Sequence, residues 1–242
     1  MKLQTIRFLK DFLLYSGITR LLSPLNHSFL FISNFNKMRS WISKHKDGLL
    51  MNDFYSPKRD YNKRLQMFDT VAAHYQLDSK DIIYMEFGVA AAHSFKWWLE
   101  KNTNPSSEFY GFDTFEGLPE NWGRHFKKGD MSAALPDIDD KRAGFYKGIF
   151  QDTVHGFITT KGDSLKTKQK VIHMDADLFS STIFVLSQLH PYLKKGDIIF
   201  FDEFNVANHE YQAFKIFSEA FYVKMKPVAA VNNFYQVAFE VE

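Results

Sequence analysis

Short hydrophobic runs alternate with amphipathic segments over most of this chain. The runs that begin at Ile82, Val171 and Ile198 are almost continuous and lack the alternation of a half-exposed strand. Such runs are typical of strands that are buried on both faces of a parallel sheet. The segments between them carry hydrophobic residues at helical spacing. The pattern therefore predicts an α/β fold built from repeated strand–helix units.

Both ends of the chain depart from this repeat. Residues 222–231 and 234–241 alternate in polarity around an Asn-Asn pair, which predicts an antiparallel hairpin. The first 50 residues contain amphipathic helical pieces with breaks near Gly17 and Pro24. We therefore expect two parts, which are an N-terminal helical extension over residues 1–54 and an α/β domain over residues 55–242.

Acidic residues follow two of the hydrophobic runs where each run ends. Asp175 and Asp177 follow the run from Val171, and Asp202 and Glu203 follow the run from Ile198. Open α/β sheets bind ligands at the carboxyl ends of their strands. Four carboxylates gathered there would repel one another, and a hard divalent cation such as Mg²⁺ would relieve the repulsion. The alternative for some of them, such as Asp177, is capping of the following helix.

A third run ends at Gly88 and leads through small residues into a predicted helix. Such a turn offers free backbone N–H groups and lets a ligand approach the backbone closely. Asp113 ends the next predicted strand, where an acidic residue can bind the hydroxyls of a ribose or cap the following turn. A long polar loop follows over residues 114–143, and loops of this length are usually functional, often as lids.

Composition narrows the range of functions. The chain has no cysteine, which excludes disulfides, thiolate zinc sites and a cysteine nucleophile, and is compatible with a cytoplasmic location. The net charge of +2 gives no electrostatic reason to expect nucleic acid as a partner. Arg7, Lys10 and Asp11 interrupt the first apolar segment, so neither a signal peptide nor a transmembrane helix is predicted there.

The apolar N-terminal helices have alternative explanations. They can pack on the domain, form a homodimer interface, or make peripheral contact with a membrane. A basic cluster that includes Lys63 and Arg64 lies near the start of a later helix and is either solvated or turned towards a substrate.

Several motifs, taken in order, resemble a known family. Glu86-Phe87-Gly88-Val89 is similar to the first motif of class I S-adenosylmethionine-dependent methyltransferases. Four further segments resemble the macrocin O-methyltransferase (TylF-type) family, at residues 111–119, 147–154, 173–182 and 196–204. The resemblance runs from about Tyr55 to the C-terminus. It implies a Rossmann-like class I methyltransferase fold, with a mostly parallel seven-stranded sheet and a C-terminal antiparallel hairpin.

The resemblance also implies site residues. Those expected to bind S-adenosyl-L-methionine are Glu86, Phe87, Gly88, Val89, Ala90, Ser94, Asp113, Thr114, Phe115, Gly148, Phe150, Gln151 and Asp175. Those expected to bind Mg²⁺ are Asp175, Asp202 and Glu203. The antibiotic-tailoring members usually have Asp-Asp where this chain has Asp202-Glu203, and many methyltransferases have glycine at the position of Ala92.

The implied reaction is a Mg²⁺-dependent methyl transfer to a hydroxyl of a sugar, a glycan or a glycosylated small molecule. Asp175 and His209 are the catalytic candidates, because a coordinated metal lowers the pKa of a hydroxyl and a histidine can accept a proton near neutral pH. The alternative for His209 is a polar residue at a helix start. His93 and His125 are further candidates for the base, and His173 is expected in the core.

Two other interpretations are also compatible with the sequence. Asp175-Ala176-Asp177 matches the Asp-x-Asp pattern of metal-dependent glycosyltransferases. A methyltransferase fold can also serve as a non-catalytic S-adenosylmethionine-binding protein, because fold alone does not establish activity.

Overall fold

An eight-stranded sheet lies at the centre of the fold, with strand order β1-β7-β8-β6-β5-β2-β3-β4. The computed structural model describes residues 3–123 and 125–242. The strands are β1 (Met51–Asn52), β2 (Ile82–Phe87), β3 (Glu108–Asp113), β4 (Ala143–Lys147), β5 (Gln169–Met174), β6 (Ile198–Phe201), β7 (Met225–Val231) and β8 (Gln236–Val241). The α-helices are α1 (Leu3–Ser16), α2 (Asn26–His45), α3 (Asn62–Tyr75), α4 (His93–Lys101), α5 (Phe150–Thr167), α6 (Phe179–Leu189) and α7 (Glu210–Ala220).

The sheet is mostly parallel and ends in the expected hairpin. Strands β2 to β6 pair in parallel, whereas β8 pairs antiparallel with both β6 and β7. The predicted α/β fold with a C-terminal antiparallel hairpin is therefore confirmed. The sheet has eight strands instead of seven because β1 adds a two-residue parallel pairing, with Met51 opposite Ala229. A strand of two residues is too short to show a pattern of polar and apolar positions, so β1 could not be predicted from the sequence.

Both faces of the central strands are buried, which explains their continuous hydrophobic runs. All six residues of β2 are buried, and successive residues enter different cores. Ile82 and Tyr84 pack on one side of the sheet, and Ile83 and Met85 pack on the other. Because successive side chains of a strand point to opposite faces, a strand covered on both sides needs hydrophobic residues at every position.

The register aligns the carboxyl ends of four strands along one edge of the sheet. Phe87 lies opposite Phe112 of β3 and Met174 of β5, and Met174 lies opposite Phe201 of β6. The residues that follow these strand ends therefore lie side by side. The chain runs from β2 outwards through β3 to β4 and then crosses back to β5 on the other side of β2. The boundary between β2 and β5 is therefore the point where such sheets bind ligands.

The N-terminal region combines exposed and packed helices. Helix α1 has no buried residue, and a 3₁₀ helix over Ile18–Leu25 joins it to α2 after Gly17, which has a φ of 61°. The second half of α2 packs on the domain, where Met38 and Ile42 are buried and Trp41 contacts Phe204. Among the described residues, no helix is both long and apolar enough to cross a membrane.

Candidate active site

A cavity of about 390 Å³ opens at the carboxyl ends of β2, β3 and β5. Its lining comes from the strand ends, from the loop between β3 and β4, and from the start of α5. These residues are Tyr61, Gly88, Ala90, Asp113, Thr114, Gly117, Leu118, Pro119, Trp122, Phe126, Met131, Ile149, Phe150, Gln151, Asp175, Ala176, Asp177, Ser181, Glu203 and Tyr235. The volume lies in the range of pockets that bind small molecules.

The turn after β2 requires a glycine at position 88. Gly88 has a φ of 96°, and a Cβ built there would lie 1.7 Å from the backbone oxygen of Asp175. The N–H of Asp175 also donates to the carbonyl of Phe87 at 2.9 Å, which holds the two segments together. The neighbouring chain therefore demands this glycine, whether or not a ligand approaches the same backbone.

Asp113 connects the two loops at this edge of the sheet. Its Oδ2 accepts hydrogen bonds from the backbone N–H groups of Val89 and Ala90, both at 2.8 Å. Its Oδ1 accepts one from the N–H of Phe115 at 2.8 Å. The capping contact considered from the sequence is thus present, and Asp113 also lines the cavity.

The cavity receives only part of the set expected to bind the cofactor. The expected residues that line it are Gly88, Ala90, Asp113, Thr114, Phe150, Gln151 and Asp175. The buried residues behind the lining are Glu86, Phe87, Val89, Ser94 and Phe115. Gly148 also lies outside the lining, and its N–H donates to the carbonyl of Asp113 at 3.0 Å. These six support the cavity wall instead of forming its surface.

Glu86 belongs to a buried polar network beneath the cavity. Its Oε2 accepts a hydrogen bond from the hydroxyl of Tyr84 at 2.5 Å and lies 3.8 Å from Nδ1 of His173. Burial, and after it the charge of Glu86, raises the pKa of Tyr84 well above its usual value. Tyr84 therefore stays a hydrogen-bond donor to this carboxylate.

Acidic side chains from β5 and β6 form two overlapping clusters. Ligand atoms of Asp175, Asp177 and Glu203 all lie within 4.8 Å of one another, and so do those of His173, Asp175 and Asp202. All three members of the first cluster line the cavity. Asp175 belongs to both clusters, whereas Asp202 and Glu203, which were expected to act together, fall into different ones.

Two cations balance Asp202. Nη1 of Arg64 lies 2.9 Å from Oδ2 of Asp202 and 3.8 Å from Oδ2 of Asp175, and Nε2 of His173 lies 3.8 Å from Oδ1 of Asp202. Burial alone would raise the pKa of Asp202, but the contacts with His173 and Arg64 outweigh it and lower this pKa. Burial alone would lower the pKa of His173, but Asp202 and Glu86 outweigh it and raise this pKa to about 10. The raised pKa favours the protonated form of His173 at neutral pH.

For the remaining carboxyl groups, burial and neighbouring carboxylates outweigh compensation, which for Asp175 comes only from the more distant His173 and Arg64. Burial, followed by the charges of neighbouring carboxylates, raises the pKa values of Asp175, Glu203 and Glu210 well above the usual range. Burial likewise raises the pKa of Asp177 to about 7. Oε2 of Glu203 and Oε1 of Glu210 have no hydrogen-bond partner among the described residues. This side of the cluster needs protons or a cation to become neutral.

His209 lies outside the cavity lining and caps a helix. Its Nδ1 accepts a hydrogen bond from the backbone N–H of Phe179, the first residue of α6, at 3.3 Å. In the neutral ring this contact leaves the proton on Nε2, which is then a donor. Burial also lowers the pKa of His209. His209 is the N-cap residue of α7, but its side chain caps α6 and not its own helix, and its role as a general base stays a prediction.

The loop over residues 114–142 covers the cavity. Leu118, Trp122, Phe126 and Met131 contribute an apolar wall. The hydroxyl of Ser180, in the first turn of α6, donates to Oε1 of Glu120 in this loop at 2.6 Å. The expected lid thus contacts the helix that follows Asp177.

A family model described as macrocin O-methyltransferase (TylF) matches residues 61–237. The chain belongs to this family. No curated protein matches the chain by sequence. As a member of the macrocin O-methyltransferase family, the protein is an S-adenosylmethionine-dependent O-methyltransferase, and the glycosyltransferase and non-catalytic interpretations are set aside.

Solved methyltransferase structures share the fold of this family member. CalS11, a calicheamicin methyltransferase, is 20% identical over 76% of this chain and 80% of its own, with a TM-score of 0.60. The O-methyltransferase NovP is 18% identical over 74% of this chain and 78% of its own, with a TM-score of 0.52. An apo structure of CalS11, described as a TDP-rhamnose 3'-O-methyltransferase, is 17% identical over 86% of this chain and 93% of its own, with a TM-score of 0.55.

Proposed function

We propose that this O-methyltransferase requires Mg²⁺ and methylates a hydroxyl of a sugar, on a glycan or on a glycosylated small molecule. The observation that carries the proposal is the cluster of Asp175, Asp177 and Glu203, whose oxygens lie within 4.8 Å of one another at the cavity wall. Membership of the macrocin O-methyltransferase family supports a sugar acceptor. CalS11, which shares the fold, is described as a TDP-rhamnose 3'-O-methyltransferase, and such an acceptor agrees with the proposal.

The residues present fit a magnesium ion. Carboxylate oxygens are the hard ligands that Mg²⁺ prefers, and Oε2 of Glu203 is buried with no partner among the described residues. Because Arg64 already neutralises Asp202, we assign the ligands to Asp175, Asp177 and Glu203, with Asp202 holding Arg64 and His173 beside them. Mg²⁺ in this position would lower the pKa of an acceptor hydroxyl.

The rest of the cavity fits the cofactor. The backbone turn at Gly88 and Ala90 would face the methionine part, and Asp113 would bind the ribose hydroxyls through Oδ1, which accepts only one short hydrogen bond. Phe150 and Gln151 would contact the adenine. When bound, S-adenosylmethionine supplies an electrophilic methyl group, and the task of these residues is to orient it towards the acceptor.

The ionisable side chains that line the cavity are mainly carboxyl groups, so carboxylates are better placed than an imidazole to contact the substrate. None of the described residues that line it is a histidine. Tyr235 lines it and donates to Oε1 of Glu203 at 3.1 Å, which fixes the orientation of that carboxylate. Burial, with the charge of Glu203, raises the pKa of Tyr235 far above its usual range, so this hydroxyl remains a donor at working pH.

The metal is tested by methyl transfer to a panel of nucleotide sugars and glycosides, with Mg²⁺ or with EDTA. Glu203→Gln should lower turnover about 100-fold while binding of S-adenosylhomocysteine, measured by calorimetry, persists. Glu100→Gln, which changes an exposed glutamate on α4, is the matched control and should behave like wild type. Transfer that is insensitive to EDTA would refute the metal requirement.

The cofactor assignment is tested by the same calorimetry on Asp113→Ala. Loss of a charged hydrogen-bond acceptor should weaken binding of S-adenosylhomocysteine by about 2 kcal/mol. The control is Asp163→Ala, which removes an exposed aspartate from α5. Equal affinity in the two variants would remove Asp113 from the cofactor site. A panel in which only non-sugar diols such as catechols are methylated would overturn the acceptor class.

A further inference from the structure

The first 35 residues expose far more hydrophobic surface than the rest of the chain. Seventeen large hydrophobic side chains are exposed between Leu3 and Phe35, whereas ten are spread over the remaining described residues. Leu14 is 75% exposed and Leu21 is 79% exposed. We call the exposed side chains of residues 3–35 the N-terminal surface. An apolar area of this density marks a docking site for an apolar partner.

Helix α1 has the two-sided pattern of a helix that lies at an interface. Leu9, Phe12 and Leu13 fall on one side of the helix, and Arg7 and Asp11, four positions apart, fall on the opposite side. No residue of α1 is buried, so its apolar side has no partner among the described residues. The side with Leu9, Phe12 and Leu13 is therefore available for hydrocarbon, whereas the opposite side carries the charged residues together with the exposed Leu14.

Helix α2 presents apolar residues outwards in the same way. It packs on the domain through a stripe formed by Asn34, Met38 and Ile42. The amide of Asn34 donates to Oδ1 of Asn208 and to Oε1 of Gln212, both at 2.9 Å. The aromatic and aliphatic residues before this stripe, from Phe29 to Ile32, are exposed. The N-terminal surface thus continues from α1 across the start of α2.

Charge identifies the kind of apolar partner. The N-terminal surface itself, residues 3–35, contains three Lys and Arg and one Asp, a formal net charge of +2. Five further Lys and Arg flank it within residues 1–46, which brings the net charge of that segment to +7 and leaves −5 for the rest of the chain. Two copies joined through the N-terminal surface would bring two positively charged segments together. A bilayer with anionic headgroups offers both the hydrocarbon and the negative charge, and each Lys or Arg near such a surface contributes about 1 kcal/mol.

Helix α2, which carries part of the N-terminal surface, is linked to the loop that covers the cavity. Asn208, which binds Asn34, precedes His209, whose ring lies 6.4 Å from that of Trp122 in the loop that covers the cavity. Phe126, Met131 and Ile149 line the cavity and are also exposed, so its rim is apolar as well.

We propose that the N-terminal surface docks on the anionic face of a lipid bilayer, with α1 lying in the interface and the active-site entrance beside the membrane. Amphipathic helices with basic residues bind in this way through buried apolar area and attraction to anionic lipids together. The two contributions can be removed separately by substitution.

Flotation of the full chain with vesicles tests the proposal. Vesicles of phosphatidylcholine and phosphatidylglycerol should bind the protein, and vesicles of phosphatidylcholine alone should bind it at least tenfold less. The double variant Leu9→Ser/Phe12→Ser should lose at least tenfold in binding. Lys10→Gln and Arg20→Gln should each lose about fivefold, which corresponds to about 1 kcal/mol, and raised salt should reduce wild-type binding.

Matched controls separate docking from folding. Tyr222→Ser removes a tyrosine that is 90% exposed outside the N-terminal surface and should bind vesicles like wild type. All variants alter exposed side chains, so their binding of S-adenosylhomocysteine should be unchanged. Failure of wild type to bind anionic vesicles, or unaltered binding by the Leu9→Ser/Phe12→Ser variant, would overturn the proposal. A dimer by light scattering that this variant dissociates, without vesicle binding, would assign the surface to a second copy.

Discussion

Strands β5 and β6 carry charged side chains at both ends, and the two ends are built in opposite ways. At the amino ends, Nζ of Lys170 lies 3.0 Å from Oδ2 of Asp197, and both side chains are completely buried. Asp197 also accepts the backbone N–H groups of Lys170 and Lys194. At the carboxyl ends, the carboxyl groups outnumber Arg64 and His173, and buried oxygens lack partners among the described residues.

The comparison shows how one sheet can separate stability from function. A buried ion pair with every hydrogen bond made closes the amino ends and leaves nothing for a ligand to satisfy. The carboxyl ends hold repelled carboxylates, which only protons or a cation can neutralise. The carboxyl ends, where negative charge is in excess, form the functional and electrostatically unbalanced end of the sheet. This excess charge lowers the free energy of unfolding of the metal-free protein.

Breaking the balanced end should have the largest effect on stability. Lys170→Met leaves Asp197 buried without its cation and should lower the free energy of unfolding by about 3–5 kcal/mol, measured by urea denaturation. Lys195→Met, at an exposed lysine nearby, should change it by less than about 0.5 kcal/mol. The double variant Lys170→Met/Asp197→Asn should recover part of the loss. A single variant as stable as wild type would show that the pair is not structural.

Substitution at the unbalanced end should have the reverse sign. Asp175→Asn removes a repelled carboxyl and should raise the free energy of unfolding in EDTA by about 1 kcal/mol, while turnover falls about 100-fold. Denaturation and methyl-transfer assays on the same preparation measure both effects. A loss of stability together with activity would place Asp175 in the same class as Lys170.

The metal-free protein should lose stability as pH rises. The folded-state pKa of His173 is raised from 6.5 to about 10 and that of Asp177 from 3.8 to about 7, so the native state holds protons that the unfolded state releases. Each contribution is complete below the unfolded pKa and is lost as pH rises through the folded pKa. The unfolding free energy in EDTA should therefore fall between pH 5 and 9 by at most about 1.4 kcal/mol per pH unit for each group.

Magnesium should flatten this pH dependence, because a bound cation takes the place of the protons. The measurement is thermal denaturation at fixed pH values with EDTA or with Mg²⁺, and Asp177→Asn should reduce the slope below pH 7. Identical slopes under both conditions would contradict a metal bound by these carboxylates.

The smallest predicted effect concerns the turn after Gly88. Ala90 is exposed and has a φ of 44°, a left-handed conformation that costs a residue with a side chain about 1 kcal/mol. Ala90→Gly should therefore raise the free energy of unfolding by about 0.5 kcal/mol. Ala91→Gly, at the exposed neighbour without a positive φ, should lower it by about 0.5 kcal/mol. If both substitutions changed the free energy of unfolding in the same direction, the turn would not be strained at Ala90.

The sequence predicted those features that depend on neighbouring residues. The hydrophobic runs of β2, β5 and β6 indicated a sheet buried on both faces, and the acids at their ends indicated where ligands bind. The positive φ of Ala92, 61°, agrees with the glycine that many methyltransferases have there. Each of these features is encoded within a few positions of the chain.

Features that join distant segments could not be predicted in this way. Arg64 lies in a basic cluster on α3, and nothing nearby in sequence indicates that it reaches Asp202, 138 positions away. His173 is in the core, as expected from its strand, but its raised pKa depends on Asp202, which follows β6, and on Glu86 of β2. The sequence offered a solvated position or a substrate-facing position for the basic cluster, and the ion pair between Arg64 and Asp202 corresponds to neither.

Strand β1 has a consequence for association between molecules. The N–H of Leu50 donates to the carbonyl of Val228 at 2.8 Å, and Met51 and Asn52 pair with Ala229 and Ala230 along the outer side of β7. Without these residues, β7 would be an edge strand with free N–H and C=O groups, which is a template for pairing with strands of other molecules. The two residues of β1 thus protect the edge of β7 from pairing with other molecules. A chain that begins after residue 54 would lack this protection and should aggregate more readily.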